Sequence, residues 1–286
     1  MRLNYDRVAP CLLAGLLLTA CKDDPEPEGD GDGSGSSTGA ASSESSTTRM
    51  DDVDTTAGDQ GASGDEESSS STGAPPTEVS VRGTIEDFFA MGPIADAEIS
   101  VLGQPTLQTM SDAAGEWEMV GVPVDTFDRF VVADTGDYWG AIVPFQTGLT
   151  DLEEFELSQV SLDVIDIQIG VLQRQDPTVM VDEDASVLLV ALIQNGAAGA
   201  VVEIDPPPPP GTFYAPDAGG QPTLDVNEIQ WALYPVAVFF NLPPGPEGTY
   251  EITVTHPDRE CTPEDAQPPT LPRHINLIRV DCPPPK

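Results

Sequence analysis

The chain has 286 residues, with 11 Lys and Arg against 49 Asp and Glu, so its formal net charge is −38. A surface of this sign excludes nucleic acid and anionic lipid headgroups as partners, because both are held by clustered Lys and Arg. It favours solubility and suits high-salt surroundings, where counterions screen the repulsion.

The first element is short. Arg2 and Arg7 precede an apolar run over residues 11–18, which leads into Leu18-Thr19-Ala20-Cys21. A positive start, a brief apolar stretch and small residues before the cysteine make an export signal. The run falls well short of the roughly 20 apolar residues that a membrane-spanning helix needs. The tetrapeptide resembles the lipobox of bacterial lipoprotein precursors. That resemblance implies cleavage after residue 20 and a diacylglycerol on the Cys21 sulfur. It also implies the membrane as a partner through that anchor, and a place in the cell envelope. The outer membrane is the expected one, although Lys22-Asp23 after the cysteine gives no sorting rule. The alternative is an ordinary signal peptide with an incidental cysteine.

Residues 21–76 are mostly Gly, Ser, Thr, Asp and Glu, as in Gly29-Asp30-Gly31-Asp32-Gly33 and Glu66-Glu67-Ser68-Ser69-Ser70-Ser71. With so little apolar surface to bury, nothing offsets the entropy of ordering, so a disordered tether is expected. A flexible chain of this length spans about 40 Å on average, and more when its charges repel. The competing reading is an acidic tail that collects cations.

After Pro76 the texture changes. Residues 79–85 alternate apolar and polar, the period of a half-buried strand, and similar runs follow at 97–102, 116–120, 129–132 and 139–143. Gly92-Pro93, Gly103-Gln104-Pro105, residues 112–115 and residues 134–137 punctuate them. Between 152 and 175 two periods compete: Leu162, Ile165, Ile169 and Leu172 fit one helical face, whereas Ile165, Ile167, Ile169 and Val171 fit a strand. A helical connector in the upstream half is the expectation. A second β texture follows at 186–193, 199–204, 236–240, 249–255 and 275–280, interrupted by the proline run 206–210, a stiff extended rod or a docking motif.

The two halves rhyme. The stretch 93–101 parallels 197–204, and Gly121-Val122-Pro123 parallels Asn241-Leu242-Pro243. The expected fold class is all-β: two tandem antiparallel sandwiches over residues 77–150 and 181–286, joined by a partly helical connector at 151–180.

Val81-Arg82-Gly83-Thr84-Ile85, the strand at 93–101, the turn from Ser111 to Trp117 and Val120-Gly121-Val122-Pro123 follow one order. They resemble the carboxypeptidase regulatory-like (transthyretin-like) domain over 77–146, and residues 184–282 resemble it more loosely. The resemblance implies a small sandwich, prealbumin-like or immunoglobulin-like, that serves as an accessory, adhesive or carbohydrate-binding-like module. Its shared residues are turn glycines and core strands, which specify fold rather than activity.

Of the four cysteines, Cys11 leaves with the signal and Cys21 carries lipid, which leaves Cys261 and Cys282. In an exported chain such a pair forms a disulfide, free thiols or a shared metal site being the alternatives. The chain has His256 and His274 and no His-Glu-x-x-His, no Gly-x-Ser-x-Gly and no phosphate-binding glycine loop. No enzyme, resident metal or cofactor is therefore expected. The acidic stretches 134–137 and 182–184 are candidate calcium loops or simply solvated. Tyr138-Trp139, Phe88-Phe89 and Phe213-Tyr214 are core or rim aromatics, or a platform on which a sugar or peptide stacks. Tyr138 and Trp139 are the candidate ligand-binding residues, with an extracellular polysaccharide or an envelope protein as partner. Binding, adhesion or architecture at the cell surface is the expected role, and a carbohydrate-binding accessory module is the alternative.

Overall fold

The structure, a computed structural model, describes residues 75–193, 197–230 and 235–284. The expected export signal, Cys21 and nearly all of the expected tether lie outside the described residues. Among the described residues every regular element is a strand except one helix, which fits the expected all-β class. Its first half contains β1 (Glu78–Asp87), β2 (Glu98–Val101), β3 (Gln104–Met110), β4 (Glu116–Pro123), β5 (Phe127–Val132), β6 (Tyr138–Gln146) and β7 (Leu152–Ser161). Helix α1 (Leu162–Gln173) follows. The second half contains β8 (Ser186–Leu192), β9 (Val201–Asp205), β10 (Phe213–Pro216), β11 (Pro222–Leu224), β12 (Val236–Leu242), β13 (Glu251–Thr255), β14 (Thr262–Pro263) and β15 (His274–Asp281).

Alternation builds most of these strands. In β13, Ile252 and Val254 are buried while Glu251, Thr253 and Thr255 face solvent. Strand β6 departs from that pattern, with Trp139 to Phe145 all buried, because both of its faces are covered.

The stretch expected as a connector opens instead as β7, which pairs in parallel with β1 and antiparallel with β6. The helix occupies the downstream half. Its apolar face decides the contest between periods: Leu172 is fully buried, Leu162, Ile165 and Ile169 pack beside it, and Ile167 is exposed. A strand would have buried Ile167 with Ile165 and Ile169.

The pairing is also not wholly antiparallel. Strand β15 lies parallel to both β8 and β6, between them, so the order β11-β10-β12-β8-β15-β6-β5-β2-β3 runs without a break through both halves. Strands far apart in sequence are free of the hairpin constraint that makes neighbours antiparallel. The last strand of the chain thus joins the first half of the sheet to the second.

The rhyme read in the sequence recurs in the pairing. Strand β1 is antiparallel to β4 and parallel to β7; β8 is antiparallel to β12 and parallel to β15. Strand β2 is antiparallel to β5, as β9 is to β13. Matching turns are left-handed: Asp96 and Gly199 before β2 and β9, and Gly121 and Asn241 near the ends of β4 and β12, all have positive φ. Each left-handed residue at 96 and 199 precedes a fully buried alanine, Ala97 or Ala200.

Two cores result. The first gathers Trp117, Phe130, Phe145 and Phe155 between β4, β5, β6 and β7. Gly83 in β1 is glycine for a packing reason, since a Cβ there would collide with the Phe155 carbonyl of β7. Gly115 ends the turn before β4 at φ +76°, with the Ile85 carbonyl 2.6 Å from where its Cβ would be, and Asp112 accepts from the Ala114 and Glu116 amides in the same turn. The second core packs β8, β12 and β15 against the two-stranded sheet β9-β13.

Cys261 and Cys282 form the expected disulfide, with Cα atoms 4.2 Å apart and Cys282 fully buried beside the second core. It pins the end of β15 across 21 residues of sequence. Replacing both cysteines by alanine should lower the unfolding free energy by about 3 kcal/mol, the loop-closure value for this length. Urea titration of oxidised and double-alanine proteins measures it, and equal midpoints would contradict it.

Candidate functional site

The sheet face opposite the second core is covered by α1, and between them lies a third apolar cluster. The cross-strand row Tyr214, Val238, Leu189 and Leu277 runs over β10, β12, β8 and β15. Beside it stand Val187, Phe240 and Ile275, and at one end Trp139 of β6. One turn of α1 presents Ile165, Gln168 and Ile169 from above, at the i, i+3, i+4 spacing that places side chains on one face. Phe88 and Phe89, just beyond the end of β1, close the near side with their rings edge to face at 5.1 Å. These groups do not fill the space. They leave a cavity of about 90 Å³, open on one side.

The lining is apolar apart from one corner. Tyr214 donates its hydroxyl to Gln168 Oε1 at 2.6 Å, from strand to helix. Burial pushes the Tyr214 hydroxyl well above its ordinary pKa, so it stays protonated and a donor. A second glutamine, Gln175, ties the residues after α1 to β11 by donating to the Pro222 carbonyl at 2.7 Å and accepting from the Leu224 amide at 3.0 Å. The helix is thereby held over the sheet by polar contacts as well as packing.

The sequence-derived pair Tyr138 and Trp139 is split. Adjacent strand residues leave opposite faces. Tyr138 is half-buried against the first core, where burial and the Asp87 carboxylate raise its hydroxyl pKa. Trp139 is only 2% exposed and belongs to the third cluster. The two rings do not form a flat outer platform. Phe213 turns into the second core and stacks on Phe239 at 6.0 Å, while its neighbour Tyr214 turns into the cavity. One ring or more from each of the three aromatic pairs therefore meets at this cavity: Phe88 and Phe89, Trp139, and Tyr214. The signal was in the sequence, but long-range pairing brings the rings together, burying Trp139 and Tyr214 and leaving Phe88 and Phe89 half-buried.

The two acidic loops meet on a cation that belongs to the protein. Arg273, just before β15, places Nη1 2.8 Å from Glu183 and Nε 3.2 Å from Asp134. Its guanidinium joins residues 134–137 to residues 182–184. Among the described residues, no group of three or more His, Cys, Asp or Glu stands together as a metal set. His274 opens β15 with its ring against Gly140 and Nδ1 2.7 Å from the Pro272 carbonyl; His256 Nδ1 accepts from the Asp258 amide at 3.0 Å. Among the described residues, no helix is long and apolar enough to cross a membrane.

No family model and no curated protein matches the chain. Among solved structures, the Bacillus anthracis TIE protein is similar at 13% identity, with a TM-score of 0.23, over 72% of this chain and 34% of that one. The chain spans about a third of that protein's length. A likeness so slight carries no argument about fold or function.

Proposed function

We propose that the chain is a cell-envelope lipoprotein, anchored by lipid on Cys21 at the outer membrane. Two tandem sandwich modules related to the carboxypeptidase regulatory-like domain form its head, and the head binds an envelope partner without catalysis. The matched pairings of β1/β4/β7 with β8/β12/β15, and of β2/β5 with β9/β13, support the tandem reading. The observation that carries the binding role is the cavity, where aromatic side chains from both halves converge on unfilled space. Its polar corner is a tyrosine hydroxyl bonded to a glutamine, a pair suited to holding a ligand and not to attacking one. Stacking of a sugar on Tyr138 and Trp139 forms no part of this proposal, since the two rings lie on opposite faces and Trp139 is buried.

The anchor is tested by Cys21→Ser. The substituted protein should move from membranes into the soluble fraction while the unsubstituted chain stays in the membranes after a salt wash. A Cys21→Ser protein that still sediments with membranes after the wash would place the anchor elsewhere.

A further inference from the structure

Resting on the binding reading above, we propose that the cavity under α1 takes the aliphatic tail of a small neutral amphiphile, whose polar head meets Gln168 and Tyr214.

Size sets the tail. About 90 Å³ of free space is less than the roughly 150 Å³ of an apolar cavity known to hold benzene, so a chain of a few carbons fits better than a ring. Polarity sets the head. The Gln168 amide nitrogen makes no hydrogen bond among the described residues, and its oxygen is already taken by Tyr214. The amide's two N–H donors are therefore free for an oxygen acceptor such as a hydroxyl or ester carbonyl. Charge excludes a fatty-acid carboxylate. No Lys, Arg or His lines the cavity, and the chain carries a formal charge of −38, so an anionic head would be buried without a partner. The opening on one side leaves room for a head larger than the tail.

The test uses the whole chain carrying Cys21→Ser, without detergent, titrated by NMR with straight-chain 1-alkanols and with carboxylates of the same chain lengths. The expected result is saturable one-to-one binding that shifts the Trp139 indole signal. Affinity should tighten about fourfold per added methylene until the cavity is full. The matching carboxylates should bind at least about tenfold more weakly. Ile169→Phe fills the space from the helix side and should abolish binding. Gln168→Leu keeps the space, removes the donor, and should weaken alkanols several-fold while leaving the gain per methylene. Absence of saturable binding by the Cys21→Ser chain, carboxylates as tight as alkanols, or unchanged binding in a folded Ile169→Phe protein would overturn the inference. Such a failure leaves the lipoprotein reading standing if the unsubstituted chain is membrane-anchored. Alkanol binding by the Cys21→Ser chain, together with an unsubstituted protein whose Cys21 is found without lipid, would instead overturn the anchor and keep the cavity ligand.

Discussion

Arg129→Leu should lower the unfolding free energy by about 3–5 kcal/mol. Arg129 lies on β5 with its side chain 8% exposed, and its Nε is 2.6 Å from Asp265, whose side chain is 5% exposed. Its Nη1 reaches Glu247 at 3.2 Å, and its guanidinium stands 5.3 Å from the Phe127 ring. Burial alone would favour a neutral arginine, but the hydrogen bond and charge of Asp265 outweigh it and raise the pKa. Removing Arg129 leaves Asp265 buried with its charge uncompensated, which accounts for most of the expected loss. The double replacement, Arg129→Leu with Asp265→Leu, removes both charges and should recover most of the stability. Glu247 is largely exposed and keeps its hydration. Urea unfolding of the three proteins measures this. A single replacement that costs under about 1 kcal/mol, or a double one no better than the single, would show that the pair does not join β5 to the segment carrying Asp265.

Phe130→Ala should cost about 3–5 kcal/mol, the range for a large aromatic truncated in a core that cannot collapse around the gap. Phe130 is fully buried and sits at the centre of a ring cluster. It stacks on Phe145 at 4.0 Å and meets Trp117 and Phe155 edge to face at 5.1 and 5.3 Å. Those partners come from β4, β6 and β7, so the ring holds both layers of the first core together. Rigid strands on all sides keep the cavity open, and the lost edge-to-face contacts add to the transfer cost. Thermal or urea unfolding provides the number, with Val120→Ala as a control that should change little, because Val120 is 64% exposed. A Phe130→Ala protein within about 1 kcal/mol of the parent would mean that this cluster does not organise the first core.

How much of this was legible depended on whether a strand has a core-facing side. Strands β1 and β13 carry period-2 apolar residues, β8 is a continuous apolar run and β15 is rich in Ile, Leu and Val, so these stood out in the sequence, as did the turn at Asp112. Strand β3 did not, because it is an edge strand whose residues Gln104 to Met110 are half-buried or exposed, and its start at Gly103-Gln104-Pro105 looked like punctuation. Strand β7 was hidden because Glu153, Glu154 and Glu156 interrupt it and its partner β1 lies some 70 residues away. The placement of β15 between β8 and β6 is a parallel, long-range pairing, and no local signal encodes it. The same holds for the site. Each aromatic pair was visible, but which ring of each pair faces inward depends on strand register, and the cavity depends on α1 lying over a face assembled from both halves. The disulfide was legible because the expected export signal and an even cysteine remainder left a single pairing to make.

The most direct measurement of the central claim, a binding head carried on a lipid anchor, is the mass of the N-terminal peptide of the mature protein taken from membranes. The account predicts a peptide that begins at Cys21 and carries diacylglycerol on its sulfur. A mature chain that begins at any other residue, or a peptide with an unmodified Cys21, would contradict it.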